Sequence, residues 1–240
     1  DDDDVRHDLA ESARFYSSLT GIGVSWPPAG MSQEEESVTA ETSEKASGGA
    51  AAPGGNLEGI RADLGDCQRC KLAGGRKNIV FGQGNPRAEL MFVGEAPGAD
   101  EDEQGLAFVG RAGKLLTDII EKGLKMSREE VFIGNVIKCR PPQNRNPEPD
   151  EIVACQPFLE AQIRAIQPKV LVALGKFSAH WLLKTAVPIT RLRGNLGEWE
   201  GIPAMPTYHP AYLLRNPRAK KDLWEDMKVV LELLGRPVPD

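Results

Sequence analysis

Short apolar runs alternate with amphipathic segments from residue 59 to the end of the chain. Four runs are continuously apolar and are predicted to be strands, at 89–94, 131–138, 169–175 and 202–209. Segments with helical spacing of apolar residues follow them, at 112–124, 149–166, 176–184 and 218–234. Strands that are apolar on both faces and alternate with helices are typical of a parallel sheet covered on both sides. The pattern predicts a three-layer α/β fold with a central four-stranded parallel sheet flanked by helices. A short extra strand is predicted at one edge, within 78–84.

The first 58 residues follow a different pattern. Apolar side chains recur at helical spacing in 5–22, and the sequence WPPAG then interrupts them, which predicts an N-terminal helical arm over 1–26. Residues 27–58 are rich in Pro, Gly, Ala, Ser and Glu and contain almost no large apolar side chain. Such a segment buries too little surface to offset its ordering entropy, so a disordered linker is predicted there. The folded domain is predicted to span 59–240.

The charge of the chain is unevenly distributed. The net charge is −6, but residues 1–58 contain twelve acidic and three basic residues, which leaves 23 acidic and 26 basic residues in 59–240. A mildly basic domain is compatible with a nucleic-acid partner but does not require one. No apolar run approaches the length of a membrane span, and no signal segment opens the sequence. We therefore expect a monomeric cytoplasmic protein that does not enter a membrane.

Residues suited to binding or catalysis lie at the carboxyl ends of all four predicted strands. Ligands of open α/β sheets bind at this edge, so these side chains are expected to converge. They supply a carboxylate, an amide, an amine and an imidazole beside a glycine-containing turn. The residues are Gly94, Glu95, Ala96, Pro97, Gly98, Asn135, Lys176 and His209.

The glycine-rich loop after the first long strand extends this candidate site. It lacks the GxxxxGK[ST] order of a phosphate-binding P-loop. Glu101 and Phe108 lie within it, and Arg111 and Lys114 open the next helix, where a helix N-terminus favours an anion.

A second candidate DNA contact lies in the sequence YHPAYLLR. Its segment at 211–215 combines Leu213 and Leu214 with Arg215, which are the residue types of a wedge that enters a base stack.

Four cysteines form an uneven framework, Cys67-x2-Cys70 followed by Cys139 and Cys155. In a reducing compartment this framework favours a metal site over disulfides. Four thiolates bind either zinc or a [4Fe–4S] cluster. Zinc ribbons usually pair two short knuckles, whereas fifteen residues separate the second pair here, which favours the bulkier cluster. Zinc, or four unlinked buried thiols, remain the alternatives.

Four motifs closely resemble those of the family 4 uracil-DNA glycosylases. They read GEAPGADED with FVGRAGKLL, GNVIKCRPPQNRNPEP, LVALGK and YHPAYLLR, and the resemblance covers about residues 57–236. It implies a uracil-DNA glycosylase fold and an enzyme of base-excision repair that hydrolyses the N-glycosidic bond of deoxyuridine in DNA. It also implies a structural [4Fe–4S] cluster held by the four cysteines.

The resemblance further implies roles for individual residues. Glu95 corresponds to the acid that orients or activates water, and Asn144 is implied to assist it. Phe108 corresponds to the ring that stacks on uracil. Asn135 corresponds to the amide that reads the edge of the base, and His209 to the donor to its O2 atom.

Glu101 corresponds to a residue that hinders the methyl group of thymine.

An alternative function is a non-hydrolytic or covalent uracil-DNA-binding protein with an iron–sulfur cluster. One related branch captures uracil-DNA through a histidine in the segment after the Asn-bearing strand. That segment, 136–149, contains no histidine here, which argues against capture. The joint presence of Glu95, Asn135 and His209 disfavours a non-catalytic DNA-binding protein.

Overall fold

The computed structural model describes residues 56–239. The predicted arm at 1–26 and nearly all of the predicted linker lie outside the described residues. Helix α1 (Leu57–Leu64) includes the last two residues of the segment predicted as linker, 57 and 58. Asn56 caps this helix by accepting a hydrogen bond from the Gly59 N–H at 2.9 Å. The helix buries Ile60 and Leu64 in a small apolar cluster with Phe81.

A six-stranded mixed sheet forms the middle layer in the order β1-β3-β2-β4-β6-β5. The four central strands are parallel, which confirms the predicted core, and the two edge strands are antiparallel. Only the last two residues of the predicted edge segment 78–84 form a strand, and β5 was not predicted. The strands are β1 Gln83–Gly84, β2 Leu90–Gly94, β3 Phe132–Asn135, β4 Val170–Leu174, β5 Gly197–Trp199 and β6 Ile202–Thr207.

Helices cover both faces of this sheet. They are α2 Ala99–Gln104, α3 Arg111–Asp118, α4 Pro149–Ile166, α5 Lys176–Leu183, α6 Ile189–Leu192, α7 Pro210–Arg215 and α8 Lys220–Leu233. The predicted helix 149–166 is confirmed at both ends. A π-helical turn, Ile119–Gly123, continues α3. Four helices were not predicted: α1, and the three helices α2, α6 and α7, which are too short to show a period. None of the helices within residues 56–239 is long and apolar enough to cross a membrane.

Two separate apolar cores lie on the two faces of the sheet. Along β2, Leu90 and Phe92 enter one core, while Met91 and Val93 enter the other. The first core also contains residues of α3 and α8, and the second contains residues of α4 and α5. This alternation follows from the two-residue side-chain period of a strand. The three-layer arrangement of the sequence prediction is therefore present, and its parallel strands end at one edge.

Candidate active site

Asn135 is the last residue of β3 and lies at the edge of the sheet where the four parallel strands end. The residue is 1% exposed, and neither its Oδ1 nor its Nδ2 atom has a hydrogen-bond partner among the described residues. Leaving a buried amide unpaired costs about 1–3 kcal/mol, and buried polar groups in folded proteins rarely remain so. The unpaired amide therefore points to a ligand that supplies both a hydrogen-bond donor and an acceptor.

Gly94, the last residue of β2, faces Asn135 in the parallel register. A Cβ atom at this position would lie 2.6 Å from Cζ of Phe108 and closer still to Oδ1 of Asn135. Any larger residue would collide with both groups. Glycine at position 94 therefore allows the amide and the aromatic ring to converge on one small space.

The loop that carries Phe108 is held from two sides. Phe108 has a φ of 52°, a left-handed conformation that is uncommon for a non-glycine residue. The half-buried guanidinium of Arg128 donates to the Phe108 carbonyl oxygen at 3.0 Å. On the other side, Oε1 of Glu101 accepts hydrogen bonds from the N–H groups of Val109 and Gly110, both at 2.8 Å. Glu101 thus positions the loop, while its predicted effect on thymine stays a prediction.

Two residues that determine the conformation of this loop were not identified from the sequence. A Cβ atom on Gly113 would overlap the backbone of Phe108, so helix α3 approaches the loop only because glycine occupies that position. The FVGRAG motif contains this signal. Arg128 had no local signal, because it reaches a carbonyl 20 positions earlier in the chain.

His209 caps helix α7 from the end of β6. Its Nδ1 atom accepts the Ala211 N–H at 3.1 Å, so in the neutral ring the proton is on Nε2, which becomes a donor. Burial lowers the pKa of His209 to about 4, and the charge of Arg215 acts in the same direction. The imidazole is therefore neutral at physiological pH. Its ring centroid lies 5.7 Å from that of Phe108.

Gly175 makes room for the imidazole. It follows β4 with a φ of 89°, and a Cβ atom there would lie 3.0 Å from Cβ of His209. A side chain at this position would be strained in the backbone and crowded against His209.

Glu95 lies directly after β2, beside these groups. The main chain continues the pairing with β3 past the strand ends, because Val136 N–H donates to the Gly94 carbonyl at 2.9 Å and Ile137 N–H to the Glu95 carbonyl at 3.1 Å. The Glu95 side chain is half-buried. These two hydrogen bonds hold the backbone of Glu95 against the segment that directly follows Asn135.

The rest of the 94–98 loop and Asn144 have different environments. Pro97 is buried, Ala96 is half-buried, and Gly98 precedes α2 as its N-cap residue. Asn144 lies in an exposed turn with a φ of 54°, and its Oδ1 accepts a hydrogen bond from Nε of Arg140 at 2.7 Å. In this structure the Asn144 amide is thus engaged in its own loop.

Comparison with known proteins identifies the family. The profile of the Uracil DNA glycosylase superfamily matches residues 81–228. The chain belongs to this superfamily. It is 48% identical over 190 residues to the type-4 uracil-DNA glycosylase of Sulfurisphaera tokodaii, covering 76% of this chain and 86% of that relative. For the type-4 enzyme of Saccharolobus solfataricus the identity is 49% over 188 residues, covering 75% and 87%. For that of Archaeoglobus fulgidus it is 40% over 192 residues, covering 77% and 96%. The resemblance to family 4 is confirmed.

The DNA-contact residues predicted for this member of the uracil-DNA glycosylase superfamily differ in exposure. Arg111, Lys114 and Arg215 are exposed, and Lys176 is half-buried at the start of α5.

The predicted wedge is corrected by the structure. Leu213 is 0% exposed and belongs to the apolar core, whereas Leu214 is 38% exposed. Leu213 is therefore no longer assigned to DNA contact, and that prediction remains for Leu214 and Arg215.

The four cysteines lie outside the strand-end site. None forms a disulfide; Cys139 and Cys155 are buried, whereas Cys67 and Cys70 are half-buried. Cys139 and Cys155 belong to the second core, and Cys70 packs against it. Burial raises the pKa of Cys155 to about 11, and the charges of Cys70 and Cys67 add to this rise. The thiols thus influence one another electrostatically, and we call them the cysteine corner.

The chemistry of the cysteine corner fits a metal cluster. Burial raises the pKa of Cys139 to about 12, so its thiolate requires a nearby cation. The Lys138 N–H donates to Sγ of Cys155 at 3.2 Å, and Arg76 donates to Sγ of Cys139 at 3.7 Å. Hydrogen bonds to sulfur are the interactions that tune metal-bound thiolates. Within residues 56–239, no three His, Cys, Asp or Glu side chains are grouped in a way that could hold a metal ion, so the fit rests on the chemistry of the thiols and not on ligand geometry.

Proposed function

We propose that this protein is a uracil-DNA glycosylase of base-excision repair that hydrolyses the N-glycosidic bond of deoxyuridine and leaves an abasic site. One observation carries the proposal: the buried, unpaired amide of Asn135 faces the same small space as the ring of Phe108. Family membership and the type-4 names of the relatives support it. The substrate is uracil-containing DNA.

Recognition requires the base to leave the helix. Flipping costs a few kcal/mol, and stacking on an aromatic ring such as Phe108 returns about 1–3 kcal/mol. The Asn135 amide offers one donor and one acceptor, which match O4 and N3–H of uracil. In the same orientation it mismatches the amino group of cytosine. Binding of uracil would thus satisfy the two Asn135 side-chain atoms that have no hydrogen-bond partner among residues 56–239.

The reaction separates charge between the sugar and the base. As the bond between C1′ and N1 breaks, its electron pair leaves with uracil, and the sugar becomes cationic. The Nε2–H of neutral His209 would stabilise the negative charge on O2. Glu95 would stabilise the sugar cation and hold the attacking water. As the water oxygen bonds to C1′, the Glu95 carboxylate would accept its proton. No metal is needed for this step.

The alternative of covalent capture lacks a suitable residue. The segment that follows Asn135, residues 136–149, contains no histidine. Its single lysine, Lys138, is completely buried and donates hydrogen bonds to the Asn135 carbonyl and to Gln162. Hydrolysis is therefore favoured over capture.

An oligonucleotide with one uracil tests the proposed activity. The full chain is expected to make the strand alkali-labile at the uracil, and the matched thymine oligonucleotide should stay intact. Asn135→Ala should lower the single-turnover rate about 100-fold, because two hydrogen bonds of about 1.5 kcal/mol each are lost. Alkaline gel analysis measures both results. Intact uracil DNA, or equal cleavage of both oligonucleotides, would contradict the proposal.

We also propose that Cys67, Cys70, Cys139 and Cys155 hold a [4Fe–4S] cluster. The buried thiols, and the donors that reach two of their sulfur atoms, support this assignment. The cluster would tie the segment after α1, which carries Cys67 and Cys70, to Cys139 in the segment after β3 and to Cys155 in α4. Its role would be structural, because the residues proposed for catalysis are on the strand ends.

Iron content tests the cluster. Protein purified without oxygen should be brown and should contain about four irons per chain, the stoichiometry of a cubane. Cys155→Ser should lose iron and melt at a lower temperature, because a ligand within the core is removed. Iron analysis, visible absorption and thermal melting provide the measurements. A colourless protein that holds one zinc per chain would show that the assignment is wrong.

A further inference from the structure

A buried lysine lies behind the residue that we propose reads the base. Lys138 is 0% exposed, three positions after Asn135, and its chain folds back towards the strand. Its Nζ donates to the Asn135 carbonyl oxygen at 2.8 Å and to Oε1 of Gln162 at 2.7 Å. Lysine is rarely buried completely, and both of these acceptors are themselves buried.

The hydrogen bonds of this lysine lie where the pairing of β3 with the edge strand β1 has ended. The edge strand β1 pairs with β3 only at Ile133 and Phe132, so the pairing stops before Asn135. Beyond that point, Gln162 Nε2 donates to the Phe81 carbonyl oxygen at 2.8 Å. The chain of contacts then runs from Phe81 through Gln162 and Lys138 to the Asn135 carbonyl. Strand β2 pairs with the end of β3 on one side, and these side chains hold it on the other side, beyond the last pair with β1.

Helix α4 supplies the other end of this connection. Gln162 and Cys155 are seven positions apart, so both lie on the buried face of the helix. Cys155 receives the Lys138 N–H, and Gln162 receives the Lys138 ammonium group. The backbone and the side chain of Lys138 thus both bind α4, while the same side chain binds Asn135.

We propose that Lys138 is a positioning residue for base recognition: by binding the Asn135 carbonyl, it fixes the backbone from which the Asn135 amide reaches uracil. The inference rests on the proposed function. The Asn135 amide has no described partner of its own, so its placement depends on the backbone that carries it. Loss of the Lys138 donor should therefore weaken contact with the base more than contact with the rest of the DNA.

Contact with the base can be distinguished from contact with the rest of the DNA by measuring the affinity of the full iron-loaded chain for two DNAs. One DNA carries a non-cleavable 2′-fluoro uracil nucleotide, and the second carries a tetrahydrofuran abasic site with no base to read. Lys138→Met keeps the length of the side chain but removes its donors. It should weaken binding of the uracil analogue about tenfold, the effect of one lost hydrogen bond to a charged group. Binding of the abasic DNA should change by less than about twofold.

Gln162→Leu is the matched control. It disrupts the same buried chain of contacts but leaves the bond between Lys138 and Asn135 possible. It should lower the melting temperature as Lys138→Met does, yet change the preference for the uracil analogue by less than about twofold. An equal loss of preference in both variants would assign Lys138 a general structural role and overturn the proposal.

A double-mutant cycle provides the decisive comparison. In an Asn135→Ala background, Lys138→Met should cause no further loss of affinity for the uracil analogue, because Lys138 acts through Asn135. Additive losses would overturn the proposal, as would loss of iron from Lys138→Met, which would place its role in the cysteine corner. If Lys138→Met does not fold, Lys138→Gln replaces it. The glutamine amide reaches less far than the lysine ammonium group, so the same selective loss of affinity for the uracil analogue is expected. An equal loss of affinity for both DNAs would overturn the proposal.

The wild-type protein separates failure of this inference from failure of the proposed function. If it binds the uracil analogue no better than unmodified DNA and releases no uracil, the proposed function is wrong. If it recognises and cleaves uracil while Lys138→Met keeps the full preference, only the role of Lys138 is wrong.

Discussion

Replacing His209 with alanine is expected to lower the single-turnover rate of uracil release by about two to four orders of magnitude, the range for one lost donor to a developing oxyanion. The Nδ1 atom is occupied by the Ala211 N–H, so Nε2–H is the atom available to the base. A neutral donor is present because burial keeps the pKa of His209 at about 4. Rapid-quench measurement of uracil release gives the rate.

A second substitution separates this role from helix capping. His209→Ala also removes the cap of α7, which costs about 1 kcal/mol of stability. Asn is a favourable capping residue whose Oδ1 can replace Nδ1, but it has no atom that reaches as far as Nε2. His209→Asn should therefore be as slow as His209→Ala while melting close to the wild type. If His209→Asn restores the rate, capping and not donation to the base explains the defect.

The pH dependence checks the protonation state of His209. A pKa lowered from 6.5 to about 4 keeps the imidazole neutral from neutral pH down to about 4. The wild-type rate should therefore show no loss attributable to His209 near pH 6.5 and should fall only as the pH approaches 4. A loss centred near the ordinary histidine value that disappears in His209→Asn would contradict the neutral-donor mechanism.

Glu95→Gln is the other substitution with a large expected effect. Glutamine keeps the size of the side chain but removes the charge that faces the cationic sugar and the group that accepts the proton of water. The single-turnover rate should fall by about two to four orders of magnitude, whereas binding of uracil-containing DNA should fall much less. Rapid quench and fluorescence anisotropy measure the two quantities.

Glu101→Gln is the matched control for this change. The same substitution in the same loop leaves a carbonyl oxygen to accept the N–H groups of Val109 and Gly110. Its rate should remain within about tenfold of the wild type. If Glu95→Gln cleaves at the wild-type rate while His209→Ala is slow, Glu95 does not activate water. Asn144 then becomes the next candidate, although its amide is bound to Arg140 in this structure.

Much of the fold could be predicted from local sequence patterns. Strands buried on both faces are continuous apolar runs, and β2, β3, β4 and β6 all fall within the predicted segments. The location of the candidate site was predicted from the same pattern, because the carboxyl ends of parallel strands meet at one edge of the sheet. Asn135 and His209 became candidates because Asn135 lies inside or at the end of its apolar run and His209 ends the last one. The edge strand β5 is only three residues long and gives no comparable signal.

Tertiary structure decided how individual side chains are used. The sequence presents Leu213 and Leu214 as equivalent, but packing of α7 buries the first and exposes the second. Likewise, Lys138 resembles a surface residue until helix α4 brings Gln162 beside it from 24 positions away. Arg128 reaches the Phe108 loop across 20 positions. The sequence by itself thus determined the parallel sheet and the edge at which its polar strand-end residues lie. Both follow from hydrophobic periodicity and from where each apolar run ends, which are local properties of the chain. Only the packed chain decided which polar groups are satisfied, because their partners are distant in sequence.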